Sequence, residues 1–274
     1  MRKSLAVCSW SLRPDSTESL INQTQECGIQ RVQLGLEPFV SGDWDLDAFM
    51  ESARDHRIEL CSGMMQTIGE DYSTLETIRA TGGIRPDQHW DQNLARAREH
   101  AKIASELGLS LVTFHAGFLP EQSSDEYTRI ADRIQRIAEC FGEYEIVIGM
   151  ETGQERAAEL MELLDHPHMS HIGVNFDPAN MILYGVDDPR TAFELLKDKV
   201  VQVHIKDALR STSAGQWGTE VSAGSGEVDW ERFFETADSM NRDLNTVIER
   251  EAGDDRVADI ITARELCAEY GCVL

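Results

Sequence analysis

Four residues of metal-binding type, three acids and one histidine, each stand at the end of a short apolar run. In chain order they are Glu151, Asp177, His204 and Glu249. Carboxylate oxygens and imidazole nitrogens are ligands of divalent cations, and carboxylates brought together repel one another unless a cation lies between them. This donor set suits Mn²⁺, Mg²⁺ or Co²⁺, with Zn²⁺ as a further candidate. The sequence therefore predicts one divalent metal ion held by these four side chains.

The spacing of the four residues follows a repeating unit. Asp177 comes 26 residues after Glu151, and His204 comes 27 residues after Asp177, which is the length of one strand and one helix with their loops. Glu249 follows His204 by 45 residues, one such unit plus a long loop rich in glycine and serine. The carboxyl ends of neighbouring barrel strands surround one mouth, so we expect these side chains to converge there.

The elements that must position these residues are eight runs rich in apolar and β-branched residues. The runs are nearly continuous rather than alternating, which favours parallel strands covered on both faces. The predicted strands are 5–9, 31–34, 58–62, 111–115, 146–151, 172–177, 200–204 and 246–249. Stretches of helical period lie between them, at 18–26, 91–107, 127–141, 154–164, 189–197, 230–240 and 256–270.

Strands that alternate with helices of this length predict βαβ units and a parallel sheet. Eight such units favour an α/β fold that closes as a (β/α)₈ TIM barrel, with residues 1–274 forming a single domain. Two connections, 66–90 and 207–229, are longer than a minimal loop and follow strand ends. Both are candidate substrate lids, with plain surface excursions as the alternative.

Composition narrows the classes of partner. The formal charge of −24 at pH 7 disfavours nucleic acid and anionic membrane surfaces, which bind basic faces. The six cysteines form no CxxC pair, which predicts reduced thiols and a cytoplasmic location. No apolar stretch is long enough to predict a membrane span. A homo-oligomer is compatible with all of these features.

Five stretches of the chain resemble the xylose isomerase-like TIM barrels, a family of sugar isomerases and epimerases that also includes endonuclease IV. They read GMETG at 149–153, NFDPAN at 175–180, VHIKD at 203–207, GSGEVDW at 224–230 and IE at 248–249. The resemblance runs through the whole chain in strand order and is sharpest from residue 110 onward. It implies that the four residues at the strand ends are the metal ligands, and that Glu151 and Glu249 also form a catalytic acid/base pair.

The resemblance also implies substrate-binding residues. His115 falls where the family has a histidine that contacts substrate. Lys206 lies two residues past His204, hence on the same side of an extended segment, where it could reach a substrate oxygen or pair with a carboxylate. Asn180 stands three residues after Asp177, where several relatives have a histidine, and we take it as a substrate-binding residue. The asparagine argues against a second metal ion.

The function that the resemblance implies is a metal-dependent isomerase or epimerase of a small keto sugar or sugar derivative, working by proton transfer through an enediolate. Two alternatives stay open: a lyase such as an inosose dehydratase, and a non-catalytic barrel that binds sugar or metal. Phosphodiester cleavage of the endonuclease IV type is disfavoured. No histidine lies between His204 and Glu249, the third strand is followed by Gln66 rather than a histidine, and the charge is −24.

Overall fold

Parallel strands close into a barrel in the computed structural model, which describes residues 2–213 and 215–274. The strands are β1 (Lys3–Cys8), β2 (Arg31–Gly35), β3 (Glu59–Met64), β4 (Leu111–Phe114), β5 (Val147–Glu151), β6 (Ile172–Phe176), β7 (Val200–Ile205), β8 (Asp207–Leu209), β9 (Thr219–Val221) and β10 (Leu244–Ile248). The barrel order is β1-β10-β7-β6-β5-β4-β3-β2, while β8 and β9 form a separate antiparallel hairpin. All eight predicted strands are present, and the predicted TIM barrel is confirmed.

Helices connect the strands and cover the outside of the barrel. Asp45, Ser124 and Asp229 each accept a backbone N–H in the first turn of a helix, which satisfies a donor that the helix itself leaves free. The helices are α1 (Thr17–Glu26), α2 (Glu37–Val40), α3 (Leu46–Asp55), α4 (Leu75–Thr81), α5 (Asp87–Glu106), α6 (Asp125–Gly142), α7 (Ala157–Leu164), α8 (Pro178–Tyr184), α9 (Pro189–Leu196), α10 (Trp230–Ser239) and α11 (Arg256–Glu269).

The structure adds several short elements to those that the sequence pattern predicted. α2, α3, α4 and α8 lie in stretches without a predicted helix. They are 4 to 10 residues long, too short for apolar periodicity to reveal them well. The segment after β7 forms the β8–β9 hairpin, so this part of the 207–229 connection is paired backbone rather than an open loop.

The glycine-rich stretch after this hairpin is built around one buried carboxylate. Asp207 Oδ2 accepts the backbone N–H groups of Gly224 and Gly226, at 2.9 and 3.0 Å. Its Oδ1 accepts the N–H of Val228 at 3.1 Å, and Oδ2 also accepts the indole N–H of Trp230 at 3.1 Å. The GSGEVDW motif therefore wraps the side chain of Asp207 and joins the hairpin to the start of α10.

Replacing Gly226 by alanine is expected to destabilise the protein by about 1–3 kcal/mol, the usual cost of overpacking. A Cβ at Gly226 would overlap Asp207 Oδ1 and lie 2.7 Å from Ala208 N. Urea unfolding measures the effect. Gly142→Ala is the control, because a Cβ there meets nothing within 4 Å and should not lower stability. Equal stability of both variants and the native chain would contradict this packing.

Membrane-spanning potential was assessed for the part of the chain that the structure describes. None of its helices is both long enough and apolar enough to cross a lipid bilayer.

Candidate metal and active site

The four residues at the strand ends meet at the mouth of the barrel. Each contributes one atom to a group whose ligand atoms all lie within 4.8 Å of one another. β5 ends in Glu151, Asp177 comes directly after β6, His204 lies in β7, and Glu249 comes directly after β10. All four side chains are buried. The convergence that the sequence spacing predicted is therefore present in the folded chain.

The imidazole of His204 lies at the centre of this group. Its Nδ1 is 3.5 Å from Glu151 Oε1, 3.6 Å from Asp177 Oδ2 and 3.3 Å from Glu249 Oε2. Nδ1 and Asp177 Oδ2 are both buried without a hydrogen-bond partner. Buried polar atoms normally have hydrogen-bond partners. Two ligand-type atoms that face each other without a partner are the arrangement expected of a site that binds a cation between them.

Asp177 uses its two carboxylate oxygens differently. Oδ1 accepts the backbone N–H groups of Ala179 and Asn180, at 2.8 and 3.0 Å, and so caps the start of α8. Oδ2 stays free and faces His204. Helix capping and metal ligation are therefore compatible in this residue, because each uses a separate oxygen.

A divalent cation fits the charge of the group. Three carboxylates carry three negative charges, and Lys206 Nζ, 2.9 Å from Glu249 Oε2, adds one positive charge. Because Lys206 is shared with Glu251, the deficit is at least two positive charges, which a divalent cation would offset. Mutual distances of up to 4.8 Å also allow four ligand atoms to surround one ion at about 2.0–2.5 Å. The buried cluster can thus hold a metal ion.

The pKa values in the metal-free chain follow from this crowding. Burial raises the pKa of Glu249, but Lys206 and His204 lower it by more, to well below its ordinary value. Burial lowers the pKa of His204, but Glu249 and other negative groups raise it well above its ordinary value. In the absence of a cation, a proton on His204 therefore takes part in neutralising the carboxylates. An entering metal ion must displace that proton.

Cys8 also lies near His204 but on the other side of the ring. Its Sγ is 3.8 Å from His204 Nε2, whereas the carboxylates face Nδ1. Burial raises the pKa of the Cys8 thiol, which keeps it protonated and therefore a poor metal ligand. The donor set of three carboxylates and one imidazole is the better site.

A buried amide layer beneath the cluster orients the imidazole. Gln33 Oε1, from β2, lies 2.8 Å from His204 Nε2, and Gln202 Nε2 donates to the same oxygen at 2.9 Å. Gln33 Nε2 donates to Thr113 Oγ1 at 2.8 Å, so its oxygen must be the atom that faces the histidine. An amide oxygen only accepts hydrogen bonds, so Nε2 keeps its hydrogen, and the proton that a cation would displace is the one on Nδ1.

Asn175 is another neighbour of His204 Nε2, but its side-chain NH₂ group has a better hydrogen-bond acceptor in Glu151. Asn175 Nδ2 lies 3.1 Å from His204 Nε2, but it also donates to Glu151 Oε2 at 3.2 Å. Gln33 has no such freedom, because its oxygen cannot donate. The contact with Gln33 therefore decides which nitrogen of His204 is protonated.

Replacing Gln33 by leucine is expected to weaken metal affinity about 10- to 100-fold, the usual effect of losing the partner that orients a ligand. Gln33→Glu retains an acceptor for Nε2–H and should keep most of the affinity. The metal affinity of each variant is measured by titrating Mn²⁺ or Zn²⁺ in competition with a fluorescent chelator. Gln202→Leu is the matched control, since Gln202 is equally buried but forms its hydrogen bonds with Gln33, Asn175 and Ser62 rather than with His204. Equal losses in all three variants would indicate a merely structural layer.

Lys206 and Asn180 link the carboxylates to one another. Lys206 Nζ donates to Glu249 Oε2 at 2.9 Å and to Asn180 Oδ1 at 3.2 Å, and it also contacts Glu251. Asn180 Nδ2 donates to Glu151 Oε1 at 3.0 Å. The lysine thus lies on the side of the strand that the sequence predicted and pairs with a carboxylate. Both residues lie in the cluster, where they orient the two glutamates.

A cavity of about 540 Å³ opens beside the cluster, a size within the range of small-molecule sites. Glu249 and His115 form its inner end, and His115 Nε2 is 3.7 Å from Glu151 Oε1. Trp10 donates its indole N–H to Glu249 Oε1 at 2.8 Å and also lines the cavity. The cavity extends over the loops after β1, β2 and β3, where its lining includes Arg13, Trp44, Gln66, Thr67, Glu70 and Tyr72.

The two long connections differ in their relation to this cavity. Residues 66–72 of the first one supply part of the wall, whereas the described residues of the 207–229 connection supply none. Trp217 of the second connection packs against Tyr184, with ring centroids 4.7 Å apart. The first connection is therefore the better candidate for a substrate lid. His166, His168 and His171 precede β6, at the end of the barrel opposite the mouth.

Comparison with known proteins supports the family. A family model described as xylose isomerase-like TIM barrel matches residues 20–271. A xylose isomerase domain protein from Planctomyces limnophilus is 26% identical, with 98% of each chain covered and a TM-score of 0.88. No curated protein matches the sequence.

More distant structures share the fold at lower identity. The IOLI protein, solved with a bound zinc atom, is 14% identical, with 97% of each chain covered and a TM-score of 0.72. The 3-keto-D-glucoside 4-epimerase of E. coli is 13% identical, with 97% of this chain and 100% of that chain covered and a TM-score of 0.72. At these identities the likeness shows the fold alone, although the proteins that share it include a metal-bound protein and an epimerase.

Proposed function

This chain belongs to the xylose isomerase-like TIM barrel family, and from that premise we propose that it is a divalent-metal-dependent isomerase or epimerase of a small keto sugar or sugar derivative. We propose one ion per chain, Mn²⁺, Mg²⁺ or Co²⁺ with Zn²⁺ as a further candidate, held by the four residues at the strand ends. The formal charge of −24 supports a small carbohydrate rather than nucleic acid as the partner.

The observation that carries this proposal is the meeting of two glutamates from separate strands. Glu151 ends β5 and Glu249 follows β10, with β6 and β7 between these strands in the barrel. Yet their oxygens lie 3.5 and 3.3 Å from the same atom, His204 Nδ1. Glu151 and Glu249 are 3% and 4% exposed as residues, so bound substrate rather than bulk water would be their proton partner. A binding site without chemistry has no need of such a pair.

A divalent cation at this site would polarise a substrate carbonyl and make the neighbouring C–H more acidic. One glutamate then removes that proton, and the other returns a proton to the substrate. Trp10 and Lys206 hold Glu249 by its two oxygens, while Asn180 and His115 lie against Glu151. Return of the proton to the opposite face gives an epimer, and return to the adjacent carbon gives an isomer.

The test is solvent isotope exchange with a panel of ketoses in D₂O. The metal-loaded protein should exchange the hydrogen next to the carbonyl of its substrate, seen as loss of that proton signal by NMR, together with a new sugar. Complete retention of the hydrogen would instead indicate a hydride shift. Release of water with the absorbance of an enol or diketone would indicate a dehydratase. Tight sugar binding without any conversion would indicate a non-catalytic barrel.

A further inference from the structure

The loops that follow the last two barrel strands bear on the substrate class, because several of their backbone N–H groups are already paired within the protein. In TIM barrels a substrate phosphate frequently binds where loops after the seventh and eighth strands present backbone N–H groups and the start of a helix. In this chain those loops follow β7 and β10. Their N–H groups are directed at carboxylates of the protein itself.

The loop after β7 is occupied by Asp207. The N–H groups of Gly224, Gly226 and Val228 point at its carboxylate at 2.9–3.1 Å, and the indole N–H of Trp230 completes the shell. Consecutive backbone N–H groups around a concavity are the usual cradle for an anion. Asp207 is only 1% exposed, so this cradle is filled and closed to a ligand.

The loop after β10 is occupied by Glu220 of β9. Glu220 accepts the N–H of Glu251 at 2.9 Å and the N–H of Ala252 at 3.1 Å. Arg250, the cation at this strand end, donates to Glu220 at 2.6 Å and to Asp259 at 2.8 Å. Both its Nη1 and its Nε are therefore committed to carboxylates of the protein, and a phosphate could bind the guanidinium in bidentate fashion only by displacing one of them.

The wall of the cavity is also rich in acidic side chains. Lys206 lies beneath it and is paired with Glu249 and Glu251. Arg13 is the one lysine or arginine among the described residues of the lining. The acids of that lining are Glu37, Asp43, Glu70, Glu249 and Glu251.

We propose that the substrate of this site is an unphosphorylated sugar, recognised through its hydroxyl groups. The proposal rests on the function proposed above and specifies its substrate class. A phosphate dianion would meet an acidic cavity and two anion cradles that are already filled. Sugar hydroxyls, in contrast, need only hydrogen-bond partners, which the carboxylates and amides of this mouth supply.

The first experiment tests the occupied cradles without requiring turnover. Inorganic phosphate is titrated calorimetrically into the metal-free protein, so that it cannot bind through a metal ion. We expect no stoichiometric binding with a Kd below about 1 mM. Glu220→Ala frees two backbone N–H groups and Nη1 of Arg250, so phosphate binding should strengthen in that variant. Stoichiometric binding to the unaltered protein would overturn the proposal, and no gain in a folded Glu220→Ala protein would contradict its explanation.

The second experiment compares each sugar with its own phosphate ester. The metal-loaded protein is given D-ribulose or D-ribulose 5-phosphate, and D-fructose or D-fructose 6-phosphate, with deuterium exchange as the readout. We expect kcat/KM to be at least about 10-fold higher for the free sugar, equivalent to one tenfold step in transition-state binding. A better rate with either ester would overturn the proposal. If no sugar in either form reacts, the proposed function is in question, and the phosphate titration still decides this inference.

Discussion

Replacing Glu151 or Glu249 by glutamine is expected to lower turnover by a factor of about 10² to 10⁴, the usual contribution of a general acid or base. Glutamine has nearly the same shape and keeps one oxygen that can act as a ligand, but it cannot take up a proton. At position 151 the amide oxygen can keep the hydrogen bond from Asn180, 3.0 Å long. At position 249 it can keep only one of the two hydrogen bonds that the carboxylate accepts, from Trp10 at 2.8 Å and from Lys206 at 2.9 Å. The loss should therefore fall mainly on chemistry and only modestly on metal binding.

Two measurements separate these effects. Metal content and affinity are determined for each variant, and the deuterium exchange rate of a confirmed substrate is measured at saturating metal. Glu231→Gln is the matched control, because Glu231 lies exposed on α10, away from the barrel mouth. If neither variant changes turnover while the control and native protein agree, the acid/base assignment is wrong even though the metal site remains.

Removal of the metal ion is expected to abolish turnover and to destabilise the fold. The three buried carboxylates outnumber their positive partners, Lys206 and, without a metal, the protonated His204, so the metal-free protein keeps excess negative charge in its interior. A metal present at about 100 times its Kd adds about 2.7 kcal/mol to the free energy of unfolding. Dialysis against a chelator should lower the melting temperature, and Mn²⁺ should restore both stability and turnover.

The pH dependence of metal binding has a definite sign. The raised pKa of His204 means that the metal-free protein holds a proton there which the cation must displace. Affinity is therefore expected to rise with pH until that group titrates and to fall as the solution becomes acidic. Asp177→Asn keeps one oxygen for the helix cap and places an NH₂ group where the free oxygen faces His204, so this variant should lose most of the stabilisation by metal.

Elemental analysis checks the stoichiometry on which this prediction depends. One divalent ion per chain is expected. Full turnover by protein with far less than one ion per chain would contradict metal dependence. About three zinc ions per chain would contradict the single site and favour an endonuclease IV-like cluster.

The barrel and the convergence of four ligand-type residues at its mouth could be predicted from the sequence, because both follow from local sequence patterns. A strand buried on both faces must be apolar, so the single polar residue that ends such a run stands out, as Glu151 does after IVIGM. The repeated spacing of strand and helix then determines that Asp177 and His204 end neighbouring strands. This convergence can be predicted without knowing which side chains are in contact, because the carboxyl ends of parallel strands meet at one mouth in any such barrel.

The partners of these residues were decided only by the tertiary structure. In the sequence, Gln33 is only a polar residue within the apolar part of the β2 segment RVQLG. Its contact with His204 joins residues that are 171 positions apart. No local pattern encodes that contact, because it depends on which side chains point into the closed barrel. The same holds for Lys206 against Glu249 and for the carboxylate of Asp207 inside the glycine-rich loop. Sequence period determines which face a residue occupies, whereas barrel closure determines what it meets there.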